Sequence, residues 1–315
     1  MRLLSAIEAY ITLKRALGAV FSVDVAILHS FARRVGDIPV EAVSPEMCQT
    51  FCRGKGPATR FWERKHGSLR SFFGYLVGRG HLAATPVAEP GPRIRSNFRP
   101  HIYSPDELRR LLDATAGADP RGHLQSWTVR TLLLLLYATG LRVGEALRLR
   151  RCDVDLRDRV LSIWNTKFFK SRLVPIGKQL SAVLERYWNE RERLPLSDGD
   201  RSTFFVTRTG KAIPLARLES AFDRLRKLVG VRRSQMDRRQ PRLHDLRATF
   251  AVHRLIAWYR EGADVQNRLP FLSTYLGHIN VSGTQTYLTM TAELLGEASL
   301  RFQRYASPVE ELPHE

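Results

Sequence analysis

The sequence is poor in cysteine and in long apolar runs. Its three cysteines, Cys48, Cys52 and Cys152, are too few for a disulfide framework and lack the second His or Cys pair of a zinc site. We expect reduced thiols. The central apolar run at 132–138 is far shorter than the roughly 20 residues that span a bilayer. The N-terminus lacks the apolar core of a signal peptide, so a cytoplasmic protein without a membrane partner is expected.

The chain also has little that suggests a cofactor. HExxH and phosphate-loop motifs are absent. Two Asp-x-Asp pairs, Asp153 with Asp155 and Asp198 with Asp200, lie in short polar stretches beside arginines, which favours solvated turn carboxylates over metal ligands. We therefore expect no cofactor and no metal site. If the protein acts on a phosphodiester, cationic side chains must do what Mg²⁺ does elsewhere.

Positive charge is abundant, although lysine supplies little of it. The chain has 50 Lys+Arg against 31 Asp+Glu, a formal net charge of +19, and only eight of the basic residues are lysine. Arginine has a planar guanidinium that can bind phosphate bidentately, which favours a phosphate-binding role. Codon bias explains the high ratio of arginine to lysine equally well, but it does not explain the net charge. The first 100 residues hold 15 basic and 7 acidic residues, so both parts of the chain are basic. Nucleic acid is the expected partner.

Length and patterning predict two domains joined by a proline-rich linker. The first domain reads as short amphipathic helices with apolar residues at helical spacing. Four prolines within 85–100 mark the linker, and Ser104, Pro105 and Glu107 then form a helix-start signal. The expected order is helical domain, linker, second domain and tail, at 1–88, 89–103, 104–306 and 307–315.

The second domain alternates helical patterns with one β-hairpin. Residues 126–138 predict a central buried helix, and 159–177 predict two short strands around a basic turn. Residues 202–206 are a candidate third strand. Further helices are expected at 143–149, 215–229, 244–259, 271–276 and 292–304. The predicted fold is mainly α with a small antiparallel sheet.

Two segments of this domain carry cations that can bind a phosphate. ATGLRVGEALRL places Arg142 three residues before Glu145, on one helix face if helical. The hairpin turn carries Lys167, Lys170 and Arg172. Taken singly, each is typical of a solvated surface position.

Two later segments add histidines and a tyrosine. RLHDLRATFA places His244 and Arg247 at i, i+3, within reach of one phosphate. YLGHINVSGTQTYL places His278 and Tyr287 nine residues apart across a polar loop. A lone His or Tyr in such a loop is most often structural.

The ordered set TGLRVGE, hairpin lysine before RLVPIG, HDLR, LGH and tyrosine resembles the tyrosine recombinase (phage integrase-like) family, over Ser104 to near Arg304. That resemblance implies a helical (SAM-like) core-binding domain and a mixed α/β catalytic domain. It further implies a site-specific DNA recombinase that works without metal or ATP. The long stretch between Arg247 and His278 is similar to that of recombinases borne by transposons and genomic islands.

The resemblance also implies catalytic roles. Arg142 and Arg247 clamp the scissile phosphate, His278 hydrogen-bonds it, and Tyr287 attacks it to form a 3′-phosphotyrosine. Glu145 occupies the acidic support position. A phenol with a pKa of about 10 needs such cations, or a base, to become a nucleophile.

The remaining roles are less sharply fixed. His244 takes the proton of the nucleophile or helps to hold the phosphate. Lys167 is the implied general acid, with Lys170 as its competitor. The residues predicted to contact DNA are Arg60, Arg64, Lys65, Arg95, Lys170, Arg172, Arg232, Arg233, Arg238, Arg239 and Arg242.

The expected partner is double-stranded DNA, bound by a homotetramer on paired sites with a dimer on each, with or without other recombinase subunits. Expected roles are integration, excision or transposition of a mobile element at the bacterial nucleoid. A type IB topoisomerase and an inactive DNA-binding accessory protein remain alternatives. Whether the C-terminal helix docks on its own domain or on a neighbouring subunit is left open.

Overall fold

The computed structural model separates the chain into two compact units. The first comprises Met1–Phe98, and the second consists of Arg99–Thr166 and Lys170–Glu315. The division falls within the predicted linker, while the roles of the two units stay predictions. The structure describes residues 1–19, 21–54, 59–87, 99–119, 122–164, 171–195, 198–233 and 240–306.

The first unit is a bundle of four helices around an aromatic core. Ser44 and Thr59 cap two of the helices by accepting hydrogen bonds from backbone N–H groups of the first turn. Phe31 meets Phe51 and Phe73 edge to face, and Cys48 and Cys52 lie buried nearby as free thiols. The helices are α1 (Leu3–Ala16), α2 (Ser22–Val35), α3 (Pro45–Arg53) and α4 (Arg60–Gly78).

The second unit holds nine further helices and a small sheet among the described residues. Its first helix begins at the predicted signal, because Ser104 and Glu107 form a reciprocal capping box with Pro105 at the first helical position. The helices are α5 (Pro105–Asp113), α6 (Ser126–Thr139), α7 (Val143–Arg148), α8 (Lys178–Glu192), α9 (Leu215–Leu228), α10 (Asp245–Arg260), α11 (Val265–Leu276), α12 (Ser282–Gln285) and α13 (Ala292–Ala306).

The sheet has three antiparallel strands in the order β1-β2-β3, namely β1 (Val154–Asp155), β2 (Val160–Ile163) and β3 (Arg172–Pro175). Its register pairs Ile163 with Arg172. The mainly helical class with a small antiparallel sheet is thus confirmed, and so is the hairpin. The third strand predicted at 202–206 is wrong. Those residues form isolated bridges, since buried Phe204 and Phe205 pack against Tyr187 on α8 rather than on the sheet.

Helix α11 begins six residues earlier than predicted. Asp264 caps it by accepting from the Asn267 N–H group at 3.1 Å, and Pro270 lies inside the helix. The cap supplies the start signal that outweighs the proline. The carboxyl end of α11 lies beside Gly140 at the end of α6.

Two apolar helices, α6 and α10, hold the centre of this unit. Leu132, Leu135 and Leu136 of α6 are buried, and α10 packs against α6 and α13. Loss of one such leucine to alanine typically costs about 2–5 kcal/mol, so these helices contribute strongly to the stability of the unit. Within the described residues, no helix is long and apolar enough to cross a membrane.

Candidate active site

The carboxyl end of α11 collects three arginines from three different elements. Arg142 precedes α7, Arg172 begins β3, and Arg247 lies in the first turn of α10. Each donates a hydrogen bond to one of three consecutive backbone carbonyls. The pairs are Arg172 Nε to Tyr275 O at 2.9 Å, Arg247 Nη2 to Leu276 O at 2.8 Å and Arg142 Nη2 to Gly277 O at 3.0 Å.

A helix end is suited to this task. The last carbonyls of a helix have no partner within the helix, and they carry the negative end of the helix dipole, which favours cations. Gly277 ends α11 with a φ of +71°, and a Cβ at this position would lie 2.6 Å from Arg172 Nη1. Only glycine allows both the left-handed turn and the close approach of the guanidinium.

Glu145 joins two of these arginines. Its carboxylate accepts from Arg142 Nη1 at 2.8 Å and from Arg172 Nη2 at 2.8 Å, and the side chain is only 3% exposed. Burial alone raises the pKa of Glu145, but the hydrogen bonds and charges of Arg172 and Arg142 outweigh it and lower that pKa to about 2. Glu145 is therefore charged at neutral pH. Arg142 remains 39% exposed, so its guanidinium is accessible to a ligand.

Arg247 is the most enclosed of the three. It is 4% exposed and donates a second hydrogen bond, from Nη1 to Gly140 O at 2.7 Å. Gly140 has a φ of +61°, and a Cβ there would lie 2.6 Å from Phe250 Cδ1. Burial and the charge of Arg142 lower the pKa of Arg247 to about 10, so it stays charged at an electrostatic cost that an anion would relieve.

His278 directly follows this helix end. Its Nδ1 lies 2.6 Å from the Thr284 hydroxyl, and Thr284 is buried in α12. Burial, together with the charges of Arg247, Arg142 and Arg172, lowers the pKa of His278 to about 4. The imidazole is thus neutral at pH 7, and it faces the same cations that surround the predicted phosphate position.

Tyr287 lies beside His278, with the two ring centroids 6.0 Å apart. It belongs to a 3₁₀ turn, Thr286–Thr289, and its half-buried ring packs against the core that α10 and α11 share with Leu294. Its phenol is near enough to Arg247 to act on the pKa of that guanidinium. The structure therefore brings together Arg142, Glu145, Arg247, His278 and Tyr287 as one group.

His244 stands at the N-terminal end of α10. Desolvation and the nearby Arg247 and Arg242 lower the pKa of His244. Its turn is held by Asp245, which is buried and accepts from Arg242 Nη2 at 2.8 Å and from the Arg242 N–H group at 3.0 Å. The Tyr103 hydroxyl donates to the Arg242 carbonyl at 2.9 Å.

One prediction, that for Asp153, is wrong, and one predicted DNA contact, Arg172, lies in an enclosed position. Arg172, predicted to contact DNA, has a side chain only 9% exposed, and its guanidinium donates hydrogen bonds to Glu145 and to the Tyr275 carbonyl. Asp153, predicted as a solvated turn carboxylate, is buried and accepts from the Trp164 indole at 2.8 Å. In both cases the sequence showed a polar residue in a polar stretch, whereas a distant element covers it in the fold.

Other predicted residues lie outside the described part of the chain. These are Lys167, Lys170, Arg95, Arg238 and Arg239. Arg60 and Arg64 are exposed on α4, where Arg64 pairs with Asp24, and Lys65 donates to the Phe51 carbonyl at 3.0 Å. Arg232 is exposed, and Arg233 donates to the Arg99 carbonyl.

Sequence reasoning missed Thr284 and Asp245. Both are small polar residues next to predicted ones, and only the fold shows that they are buried and hold a histidine or its turn. A signal for Asp245 existed, because it follows Arg242 by three residues. No group of three or more His, Cys, Asp or Glu side chains that could hold a metal occurs among the residues described.

The charges define the class of site. Three guanidinium groups face one carboxylate, and the tyrosine stands beside them. Such a cluster carries more positive than negative charge, which suits a phosphate, and the phenol beside it is a nucleophile of the kind that attacks phosphate. The arrangement is that of an enzyme for phosphoryl transfer through tyrosine.

Comparisons with known proteins agree with this class. Residues 102–293 match the phage integrase family. The chain is 38% identical over 296 residues to the Sinorhizobium fredii protein y4rE, which is named as an integrase/recombinase, with 94% of each chain covered. It is 28% identical over 253 residues to the tyrosine recombinase XerD of Listeria innocua, covering 80% of this chain and 79% of XerD.

Solved structures show the same fold. The Tn1549 transposon integrase bound to transposon right end DNA superposes with a TM-score of 0.65 at 17% identity, covering 96% of this chain and 99% of that chain. A lambda integrase tetramer bound to a Holliday junction gives 0.66 at 17% identity, covering 91% and 77%. The chain therefore belongs to the phage integrase family of tyrosine recombinases, enzymes that cleave and rejoin DNA strands.

Proposed function

We propose that the protein recombines DNA at specific sites by attack of Tyr287 on a phosphate held by Arg142, Arg247 and His278. The observation that carries this proposal is the cation cluster at the end of α11, with the tyrosine beside it. Attack of the phenolic oxygen forms a bond to phosphorus and breaks the bond to the 5′ oxygen. A 3′-phosphotyrosine and a 5′ hydroxyl result, and the reverse reaction with another strand rejoins the DNA.

Arg142 and Arg247 suit the transition state better than the ground state. Negative charge grows on the non-bridging oxygens as the phosphorus becomes five-coordinate. Arg247 is already held by two carbonyls and Arg142 by Glu145 and Gly277, so neither has to reorganise during the reaction. The lowered pKa values of His278 and Arg247 support the proposal, because burial and the charge of neighbouring arginines lower both, and a phosphate would offset the part due to the arginines.

Proton transfer requires at least two further groups. A neutral His278 that accepts from Thr284 at Nδ1 carries its proton on Nε2, from which it can donate to a phosphate oxygen. The proton of Tyr287 passes to His244, or His244 helps to hold the phosphate. Lys167 protonates the leaving 5′ oxygen, with Lys170 as the competing candidate.

The wider assembly is proposed by analogy with the similar proteins. We infer that the partner is double-stranded DNA and that a homotetramer joins two sites, with a dimer on each. The lambda integrase structure is a tetramer on a Holliday junction. The likeness to a transposon integrase supports a role in moving a mobile element, at the nucleoid of a bacterial cytoplasm.

We also propose that the two units share the DNA. Residues 1–88 act as the core-binding domain, 89–103 as a linker, 104–306 as the catalytic domain and 307–315 as a tail. Exposed cations of α4, Arg60 and Arg64, support DNA contact by the first unit. Arg232 and Arg233 precede residues 234–239, which lie outside the described part of the chain and include Arg238 and Arg239, and they support backbone contact by the second.

A nicked suicide substrate tests the proposal. It loses a short 5′ fragment after cleavage, so a covalent protein–DNA adduct accumulates and is seen as a band of higher mass under denaturing conditions. We expect wild type and the matched control Tyr259→Phe to form the adduct, because Tyr259 is a half-buried tyrosine outside the site. Tyr287→Phe should form none while binding DNA with unchanged affinity.

An adduct that persists in Tyr287→Phe refutes the nucleophile. Relaxation of supercoiled DNA by a monomer, without strand exchange between two sites, identifies the topoisomerase alternative instead. DNA binding without any adduct from wild type identifies the inactive accessory protein.

A further inference from the structure

Arg172 makes contacts that are unusual for a residue at the start of a hairpin strand. It is the first residue of β3, paired with Ile163 of β2, yet its side chain reaches both the end of α11 and the start of α7. The hairpin strand, α7 and α11 are thus joined by one guanidinium. Helix α7 carries Glu145, and α11 ends just before His278, so Arg172 joins two elements that position residues of the proposed site.

The contacts of Arg172 fix its orientation. Nη2 donates to Glu145 Oε2 at 2.8 Å and Nη1 to Oε1 at 3.3 Å, which is the bidentate pairing of a guanidinium with a carboxylate. Nε donates to the Tyr275 carbonyl at 2.9 Å. All three nitrogens therefore have partners within the protein, and the group is too enclosed to grip a phosphate itself.

Glu145 transmits this orientation to Arg142. The same two carboxylate oxygens accept from Arg142, Oε1 from Nη1 at 2.8 Å and Oε2 from the backbone N–H group at 3.1 Å. Without Arg172, the buried carboxylate would keep only Arg142 as a charged partner and would be free to rotate with it. Burial would then raise the pKa of Glu145, since Arg172 is the strongest influence lowering it.

We propose that Arg172 is a positioning residue, which holds Glu145, and through it the phosphate-binding Arg142, against the carboxyl end of α11. This inference rests on the proposed function, because it assigns Arg142 the phosphate. Arg172 acts on the geometry of the site and makes no contact with DNA. The role predicts a loss in the rate of cleavage with little loss in affinity for DNA.

The test compares single-turnover cleavage of the suicide substrate with DNA affinity. Arg172→Met removes the charge at similar length and should slow cleavage by about 10- to 100-fold, with affinity within about threefold of wild type. Arg172→Lys keeps a charge but replaces the fork by one ammonium, so an intermediate loss is expected. Arg151→Met is the matched control, because Arg151 is a buried arginine whose partners, Glu192 and Trp188, lie on α8 and not among the site residues. It should lower the melting temperature comparably and cleave at the wild-type rate.

A double-mutant cycle then distinguishes positioning through Glu145 from an independent effect. If Arg172 acts through Glu145, then Arg172→Met combined with Glu145→Gln should lose no more than the more damaging single variant. A combined loss equal to the product of the two single losses overturns the proposal. So does wild-type cleavage by both Arg172 variants, or equal slowing by Arg151→Met. Absence of cleavage by wild type contradicts the proposed function instead.

Discussion

The two units of the chain use arginine in opposite ways. On α4 of the first unit Arg64 is 54% exposed and pairs with Asp24, and Arg60 is exposed at the first turn. At the end of α11 in the second unit, Arg247 is 4% exposed and the Arg172 side chain is 9% exposed. One set lies in water, where salt screens it, and the other is held by carbonyls and a carboxylate in a medium of lower dielectric.

This difference explains what the net charge of +19 can and cannot mean. A surface arginine adds a small and nearly independent increment to affinity for a polyanion. A buried arginine in a shared network is coupled to its neighbours, so removing one disturbs the rest. The same residue type should therefore give a binding phenotype in the first unit and a catalytic phenotype in the second.

The largest expected effect comes from the most enclosed cation. Arg247→Lys keeps the charge but cannot bond both Gly140 O and Leu276 O while facing a phosphate. We expect single-turnover cleavage to fall by about 10²- to 10³-fold, as for loss of a preorganised donor to a developing oxyanion. Affinity for DNA, measured by gel shift, should change by less than about threefold.

The matched control is Arg34→Lys, an exposed arginine at the end of α2. It should bind and cleave as wild type does. Wild-type cleavage by Arg247→Lys would erase the distinction between buried and surface cations, because charge alone would then suffice.

Local sequence patterns predict part of the site and part of the fold. The order of the motifs along the chain predicts one site from Arg142, Arg247, His278 and Tyr287, and the structure brings these residues together. Helix ends were predicted where local chemistry decides them, as at Ser104 and Gly140. The small sheet followed from β-branched runs around a polar turn.

The remainder depends on contacts distant in sequence. Arg172 and Glu145 are 27 residues apart, and Arg172 and Tyr275 are 103 apart, so no local pattern reveals that this arginine is buried. Residues 202–206 have the composition of a strand, yet tertiary packing of their phenylalanines on α8 overrides that preference. For Lys167 and Lys170, the choice of general acid stays a prediction.

The second prediction concerns protonation of the buried cluster. Burial, together with the charges of Arg247, Arg142 and Arg172, holds the pKa of His278 at about 4, and a bound dianion should raise that pKa by offsetting the charges. Anion binding then takes up a proton, so sulfate affinity should rise as pH falls below 6.5 and stay flat above it. Histidine Cε1 proton resonances, recorded with and without sulfate, report the pKa of His278 directly. A pKa that sulfate leaves unchanged would separate His278 from the anion site.

The same shift has a consequence for stability. In the unfolded chain His278 gains a proton below pH 6.5, while in the fold it stays neutral until about pH 4. The free energy of unfolding should therefore fall as pH drops through this window, and sulfate should reduce the loss. Glu145 acts at lower pH, because its stabilising charge is lost only between about 4.5 and 2. Thermal melts of wild type and His278→Asn across pH 4–7 measure the histidine contribution.

The smallest effect is expected at the surface of the first unit. Arg60→Ala removes one exposed cation from α4. Arg60 forms no ion pair with any residue that the structure describes. If it neutralises one DNA phosphate, the slope of log affinity against log salt should become shallower by about 0.9, with less than about tenfold loss of affinity and an unchanged cleavage rate once DNA is bound. Arg64→Ala should have a smaller effect, because Asp24 already offsets part of its charge. Slower cleavage by Arg60→Ala at saturating DNA would show that surface charge of the first unit also affects the chemical step. The arginines of the two units would then differ only in how strongly they affect cleavage, not in the kind of effect.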